Sequence, residues 1–199
     1  MNSNIKSAIV LAAGSSIRMG SVNKLLLSYN NSNILEAVIL QLQNSCIDEI
    51  IVVLGHEKAV IKTLLSPYKG LLFCHNWQYK SGMTSSIQTG LKSASEKSNG
   101  YLICLSDMPF LDVNDYNTIL NRTSGKKEIL VPFHNTKKGN PIYFSRHFKS
   151  EILKHTEVEG CKKIVQKNSH FVKRIIFANN HILRDIDTIK DYSIAKNKT

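Results

Sequence analysis

The 199-residue sequence predicts an α/β protein: a mostly parallel sheet held between two layers of helices, an α/β/α sandwich. Three observations predict it. Short continuous apolar runs alternate with segments of helical period, as in chained βαβ units. Several of those runs stop at a glycine or a small polar residue, as buried parallel strands do at their carboxyl ends. No internal repeat and no Pro/Gly/Ser-rich linker interrupts the alternation, so the chain reads as a single domain over residues 1–199.

The elements follow in order. Residues 8–12 (AIVLA) read as the first strand, closing at Gly14. Ser32 is placed to cap a helix whose apolar positions Ile34, Leu35, Val38, Ile39 and Leu42 share one face. Residues 50–54 form a second strand stopped by Gly55, and the helix marked by Val60, Ile61, Leu64 and Leu65 ends before Pro67. Residues 71–75 are a third strand. Ile87, Leu91 and Ala94 mark a helix from about Thr84, and residues 102–105 a fourth strand ending at Ser106 and Asp107. Val113, Tyr116, Ile119 and Leu120 define the next helix. Strands at 129–133 and 142–144 flank a polar loop, a helical stretch covers about 146–167, the last strand is 172–178, and a short helix spans 187–194. Sheets of this kind bind ligands beyond the carboxyl ends of their strands. That directs attention to residues 12–20, 54–56, 75–82 and 106–109.

Composition bounds the partners. With 42% hydrophobic residues the chain can bury a core, and with 21% charged residues it is not of the disordered class. The net charge of +11 suits anionic partners, including phosphate-rich small molecules. The basic residues are dispersed, with Lys-Lys pairs only at 126–127, 137–138 and 162–163. A solvated Lys-rich surface explains them better than nucleic-acid binding. The apolar runs are too short to span a bilayer, and the N-terminus lacks a leader pattern. The expectation is a cytoplasmic protein with no nucleic-acid and no membrane partner. Cys46, Cys74, Cys104 and Cys161 are widely spaced and read as buried or half-buried free thiols. None of the seven histidines stands at metal-ligand spacing from a cysteine, which argues against a zinc site.

The segment LAAGSSIRMGSVNKLLL, directly after the first strand, carries the chemistry. Gly14, Ser15 and Ser16 form a small-residue turn whose backbone N–H groups can approach an anion closely. Arg18 offers a planar fork for phosphate oxygens and Lys24 a mobile point charge. Together they suit a triphosphate. Two common phosphate loops are excluded by spacing: a Walker loop from Gly14 would need glycine where Met19 stands, and a dinucleotide fingerprint would need it where Ser16 stands.

LAAG-SS-x-RMG-xxx-K resembles the signature of the MobA-like nucleoside-triphosphate transferases. Within them it is most similar to the molybdenum cofactor cytidylyltransferases and related accessory proteins. The Ala12-Ala13-Gly14 form looks like the cytidylyl branch; the guanylyl branch typically reads LAGG. Further matches are GMTSSIQTGL at 82–91, LSDMPF at 105–110, KGNPIYFS at 138–145 and DIDTIKDY at 185–192. The resemblance implies a Rossmann-like nucleotidyltransferase fold. It places Leu11, Ala12, Ala13, Gly14, Ser15, Ser16, Arg18, Lys24, Gly82, Ser85 and Ser86 on the nucleotide.

Asp107 ends a buried strand. It could cap the next helix, but Asp112 is better placed to do so. The functional reading is a Mg²⁺ ligand, because bringing a second anion to a triphosphate requires a divalent cation. The resemblance adds Asp187, or else Asp185, as a second ligand; the alternative is that Asp187 or Thr188 caps the last helix. Asn140, before Pro141, is a candidate for the acceptor side. His56 reads as a surface histidine rather than a nucleotide contact, and Trp77 and Tyr79 as core or pocket wall. Two departures stand out. Ser106 replaces the glycine many relatives carry before the metal aspartate. EVEGCK at 157–162 stands where many carry GDxGAR, which bears on the acceptor.

The resulting expectation is an enzyme that transfers CMP from CTP, or another nucleotide from its triphosphate, to a phosphorylated acceptor. Arg18, Lys24 and Asp107 would be catalytic, and Mg²⁺ the cofactor. By resemblance the acceptor is molybdenum-molybdopterin, and a molybdenum hydroxylase a candidate receiver of the product. The alternatives are a cytidylyltransferase of a polyol phosphate, methylerythritol phosphate or phosphocholine, and a non-catalytic cofactor carrier.

Overall fold

The computed structural model describes residues 5–15, 19 and 22–196. Among them, one eight-stranded sheet runs through the molecule in the order β10-β7-β9-β6-β1-β4-β5. These strands are β1 (Ile5–Ala12), β4 (Glu49–Leu54), β5 (Leu71–His75), β6 (Ser98–Leu105), β7 (Ile129–His134), β9 (Ile142–Ser145) and β10 (Val172–Ile176), and the two-residue β8 (Lys137–Lys138) pairs with β7. The pairs β1–β4, β1–β6, β4–β5 and β7–β10 are parallel. Strand β9 runs antiparallel to both neighbours, β6 and β7. A separate hairpin joins β2 (Ser28–Tyr29) to β3 (Ser32–Asn33).

Strand periodicity sends alternate side chains to two cores. Ala8, Val10, Ile50, Val52, Leu102, Cys104 and Leu130 face one side. There they meet α1 (Ile34–Gln43), α2 (Lys58–Leu64), α4 (Val113–Leu120) and α7 (Ile189–Lys196). Ile9, Ile51, Val53, Tyr101, Ile103, Ile129 and Val131 face the other, against α3 (Met83–Ser93), α5 (Lys149–Leu153) and α6 (Lys162–Lys167). The three-layer α/β/α architecture expected from the sequence is therefore present. No helix of the described residues is long and apolar enough to cross a membrane.

Several boundaries differ from expectation, each for a local reason. Helix α1 is capped by Asn33, not Ser32: the Glu36 carboxylate accepts from the Asn33 backbone N–H at 3.0 Å and from its side-chain amide at 2.7 Å. Ser32 belongs instead to the β2–β3 hairpin. The expected helix over 146–167 is broken into a 3-10 turn (Arg146–Phe148), α5 and α6. Between α5 and α6 the chain packs against the start of α3: Gly160 donates to Thr84 Oγ1 at 3.0 Å, the Thr84 hydroxyl donates to the Glu157 carbonyl, and Gly160 takes φ +77°. Tertiary hydrogen bonds there outweigh helical propensity. The last helix starts at Ile189, because Thr188 and Asp191 form its cap: Asp191 N donates to Thr188 Oγ1 at 3.2 Å and Thr188 N to Asp191 Oδ2 at 2.8 Å. Asp187 is thereby released from capping. Strand β10 stops at Ile176 rather than running to residue 178. Of the four cysteines, all free, Cys46 is exposed rather than buried.

Candidate active site

A cleft of about 470 Å³ opens beyond the carboxyl ends of β1 and β6, where the parallel-sheet rule places it. Leu11, Ala13, Gly14 and Ser15 form one wall, Gly82, Met83 and Ser86 a second, and Ser106 with Asp107 the floor. Lys24, Asp185 and Asp187 close the side, and Tyr79 also lines it.

The wall from β1 is shaped by close backbone approach. Gly55, just past β4, donates no side chain because a Cβ would stand 2.6 Å from the Ala13 carbonyl and 2.8 Å from Tyr79 Cβ. His56 N then donates to Ala13 O at 3.1 Å, pinning the start of the first loop. Gly14 is different: a Cβ there would meet no described atom within 4 Å. Gly14 itself lines the cleft. Ser106 donates its hydroxyl to Leu11 O at 2.7 Å, so the serine that replaces glycine before Asp107 ties β6 to β1.

The second wall is the first turn of α3. Gly82 takes φ +111°, and a Cβ would stand 2.7 Å from the Val158 carbonyl. Asn76 is buried beneath this turn; its amide donates to Ser85 Oγ at 2.8 Å and Ser86 Oγ at 3.0 Å. Ser86 reaches the cleft. Ser85 is not among its lining residues and donates to the Gly82 carbonyl at 2.8 Å.

The acidic side is assembled from distant sequence. The stretch after β10 returns across the sheet end as a strap. Phe177 N donates to Phe133 O at 2.8 Å, and Asn140 N to Ile182 O at 2.9 Å. The Arg184 guanidinium lies 3.4 Å from the Phe110 ring centroid. Asn179 and His181 hold the buried Asp115 at 3.1 and 2.8 Å. Finally Ile186 N donates to Asp107 O at 2.9 Å. This places Asp185 and Asp187 beside Asp107, with carboxylate oxygens of all three within 4.8 Å of one another.

Lys24 sits among them. Its ammonium is 2.5 Å from Asp107 Oδ2 and 2.6 Å from Asp187 Oδ1, with side chains only 13%, 16% and 33% exposed in that order. Burial works to lower the Lys24 pKa, but the charge and hydrogen bond of Asp107, joined by Asp187, outweigh it and hold the ammonium above its ordinary 10.5. Asp185 moves the other way for a carboxyl. Burial first, then the charges of Asp107 and Asp187, push it above 3.8. Among the described residues, three carboxylates gather around one ammonium. The remaining Asp107 oxygen, Oδ1, is buried without a hydrogen-bond partner. An all-oxygen donor set with an orphaned buried oxygen fits a hard divalent cation such as Mg²⁺ or Mn²⁺.

Of the residues expected at the site, Leu11, Ala13, Gly14, Ser15, Lys24, Gly82, Ser86, Asp107 and Asp187 converge on this cleft. Ala12 points into the core below it. Ser16 and Arg18 lie outside the described residues. Asn140 does not line the cleft; it precedes a cis peptide to Pro141 on the loop that receives the strap. Trp77 is neither core nor wall: it is 79% exposed, edge-on to His75 with Lys58 over its ring. Sequence reasoning passed over Leu25 and Met83 and ranked Asp185 behind Asp187; in the extended DID segment both carboxylates enter the cluster. A second carboxylate–histidine group, Asp112, Asp115 and His181, is explained by capping of α4 and anchoring of the strap.

A doubly covered, mostly parallel sheet with a small-residue loop, a lysine and a carboxylate triad at one end defines a nucleotide-handling α/β enzyme. Residues 8–172 match the MobA-like NTP transferase domain. The chain belongs to that family, and is a nucleotidyltransferase of it. It is 29% identical to a probable molybdenum cofactor guanylyltransferase of Methanosarcina acetivorans over 92% of this chain and 81% of that one. It is 33% identical to nicotine blue oxidoreductase of Paenarthrobacter nicotinovorans over 92% and 93%. A Mycobacterium tuberculosis protein solved in complex with manganese superposes with a TM-score of 0.81 over 98% and 100% of the two chains, at 22% identity.

Proposed function

We propose that this nucleotidyltransferase transfers CMP from CTP to the terminal phosphate of molybdenum-loaded molybdopterin, releasing pyrophosphate. The observation that carries the reaction class is the convergence of Gly14, Ser15, Lys24 and the Asp107–Asp185–Asp187 triad on one cleft.

The chemistry is phosphoryl-centred substitution. An oxygen of the acceptor phosphate forms a bond to the α-phosphorus, and the bond from that phosphorus to the bridging oxygen of pyrophosphate breaks. The nucleophile is already anionic, so no general base is needed, and catalysis is positioning plus charge neutralisation. The Gly14–Ser15 amides and Lys24 would receive the β- and γ-phosphates, and Arg18 belongs to the same role by resemblance. Asp107, Asp185 and Asp187 would hold the divalent cation, which supplies Lewis-acid neutralisation of the phosphates when bound. The helix start at Gly82–Ser86 offers hydroxyl and amide donors to ribose or base. The relative named as a molybdenum cofactor guanylyltransferase supports a molybdopterin-type acceptor.

The same name favours a second reading, GTP as donor. Ala13 bears on the choice: it is buried on the cleft wall, and its methyl stands 2.8 Å from where a Gly55 Cβ would sit. A glycine at 13 would enlarge that wall by one methyl, room that a purine uses and a pyrimidine does not. Ala13→Gly is expected to shift the CTP-to-GTP ratio of kcat/KM toward GTP by about tenfold, the scale of a one-carbon discrimination. The primary test is pyrophosphate release from each of the four NTPs with Mg²⁺, with and without molybdenum-loaded molybdopterin. Release from CTP only when the pterin is present supports the reading. Release from GTP alone replaces the donor, and binding of NTP without release on the pterin replaces the acceptor.

A further inference from the structure

The carboxylate triad is neutralised from within the chain. The Lys24 ammonium bonds Asp107 Oδ2 and Asp187 Oδ1 at once, and those residues are two of the three that would hold the metal. We propose that Lys24 is an internal stand-in for the divalent cation: it holds the nucleotide-free cluster together and competes with metal there until a triphosphate draws the ammonium away. Metal then binds more tightly with the nucleotide than before it. The inference rests on the nucleotidyltransferase reading for the identity of that anion.

Geometry makes the two cations competitors. Mg²⁺ bonds carboxylate oxygens at roughly 2.0–2.1 Å. An ion on the oxygens that Lys24 now contacts would overlap the ammonium and be repelled by it. The lysine is also built to leave. Its backbone is fixed: Asn23 Oδ1 accepts from Leu25 N at 3.1 Å, and Leu25 is buried in the core. The flexible four-carbon stem alone has to move, and Lys24 and the Gly14–Ser15 turn line the same cleft. The buried Asp107 Oδ1, which no donor meets, shows that the ammonium does not satisfy the site as a metal with several open positions would. A stand-in that neutralises incompletely is one that a better-matched ion can replace once the lysine has another anion to hold.

The test is Mn²⁺ binding to the full-length protein without nucleotide, followed by electron paramagnetic resonance of free Mn²⁺. Lys24→Met is expected to bind Mn²⁺ about tenfold more tightly than the unmodified protein, because the binding-competent cluster no longer has to expel a cation. Lys190→Met removes an exposed lysine three residues from Asp187 and controls for the general field; it is expected to change affinity by less than about threefold. Lys24→Gln carries the same expectation as Lys24→Met should the latter fail to fold. Equal or weaker Mn²⁺ binding in the Lys24 variants, or an equal gain in Lys190→Met, overturns the proposal. The readout involves no turnover, so failure to transfer any nucleotide would count against the function proposed above and leave this result standing.

Discussion

The two ends of the sheet treat charge in opposite ways. At the amino end the carboxylates of Glu128 and Glu49 are matched. Glu128, just ahead of β7, accepts from Ser124 N at 2.6 Å, Ser124 Oγ at 2.7 Å and Lys173 Nζ at 2.6 Å. Ser7 Oγ sits 2.5 Å from both Glu49 and Ser98, and Glu49 also accepts from Ser95 N. At the carboxyl end, among the described residues, three carboxylates crowd one ammonium, and a buried oxygen meets no donor. The matched end stabilises the fold. The other end is held in place by the rest of the molecule, and under the proposed function ligands would complete it.

The titration of the two ends differs in sign accordingly. Burial pushes Glu128 up, but the hydrogen bonds from Lys173 and Ser124 outweigh it and hold the carboxyl below 4.5. A depressed native value contributes stability above the unfolded pKa and loses it as pH falls through the native one. Asp185 is raised above 3.8, so it binds its proton more tightly folded than unfolded. Its contribution therefore worsens as pH rises from about 3.8 through the raised value.

The contrast can be broken at several points. The largest effect belongs to Asp107→Ala, which is expected to cut metal-dependent transfer by about 10³-fold or more with the melting temperature preserved. Turnover at the unmodified rate would remove Asp107 from the site. Next comes Glu128→Ala, expected to cost about 2–4 kcal/mol in urea unfolding with kcat unchanged, since it strands donors at the matched end. Unaltered stability there would show that the amino end is not the stabilising one. Gly82→Ala sharpens the border between the regions. Its φ of +111° and the Val158 carbonyl predict a loss of about 1–3 kcal/mol, accompanied by weaker NTP binding. A loss of stability with binding intact would separate the α3 turn from the nucleotide. The smallest effect is Asp185→Asn, expected to raise the melting temperature in EDTA at pH 7 by about 1–2 °C, the gain fading toward pH 4. A lower melting temperature at pH 7 would mean that Asp185 is satisfied rather than crowded.

Local features were legible from the sequence, and long-range ones only in part. The apolar runs at 8–12 and 50–54 announced buried strands, as continuous apolar runs do in a sheet covered on both faces, whereas the similar run at 71–75 is the half-exposed edge strand β5. LAAG-SS-x-RMG, with Lys24, pointed to the family that the chain belongs to, and of that segment Leu11, Ala13, Gly14, Ser15 and Lys24 line the cleft. The order of the right half of the sheet was not legible: β9 enters reversed between β6 and β7, and no local periodicity encodes a neighbour. Residues 154–161 kept a helical pattern on paper, while Thr84 and Gly82 hold them as a packed loop. Asp185 was ranked second on the resemblance; the exposed Asp185 nonetheless joins Asp107 and Asp187 in one cluster, which no local pattern in the sequence encodes. The competition between Thr188 and Asp187 for the helix cap was visible in advance, and the Thr188–Asp191 pair decides it.

The backbone bond from Ile186 N to Asp107 O joins the end of β6 to the strap between its two acidic residues. Its proton is a built-in reporter. Whenever the strap lifts, that amide exchanges with solvent, and the carboxylates part at the same moment. Deuterium uptake at this one position therefore measures how often the cluster comes apart, and its slowing on addition of metal or nucleotide would time the assembly of the site without any chemical step being followed.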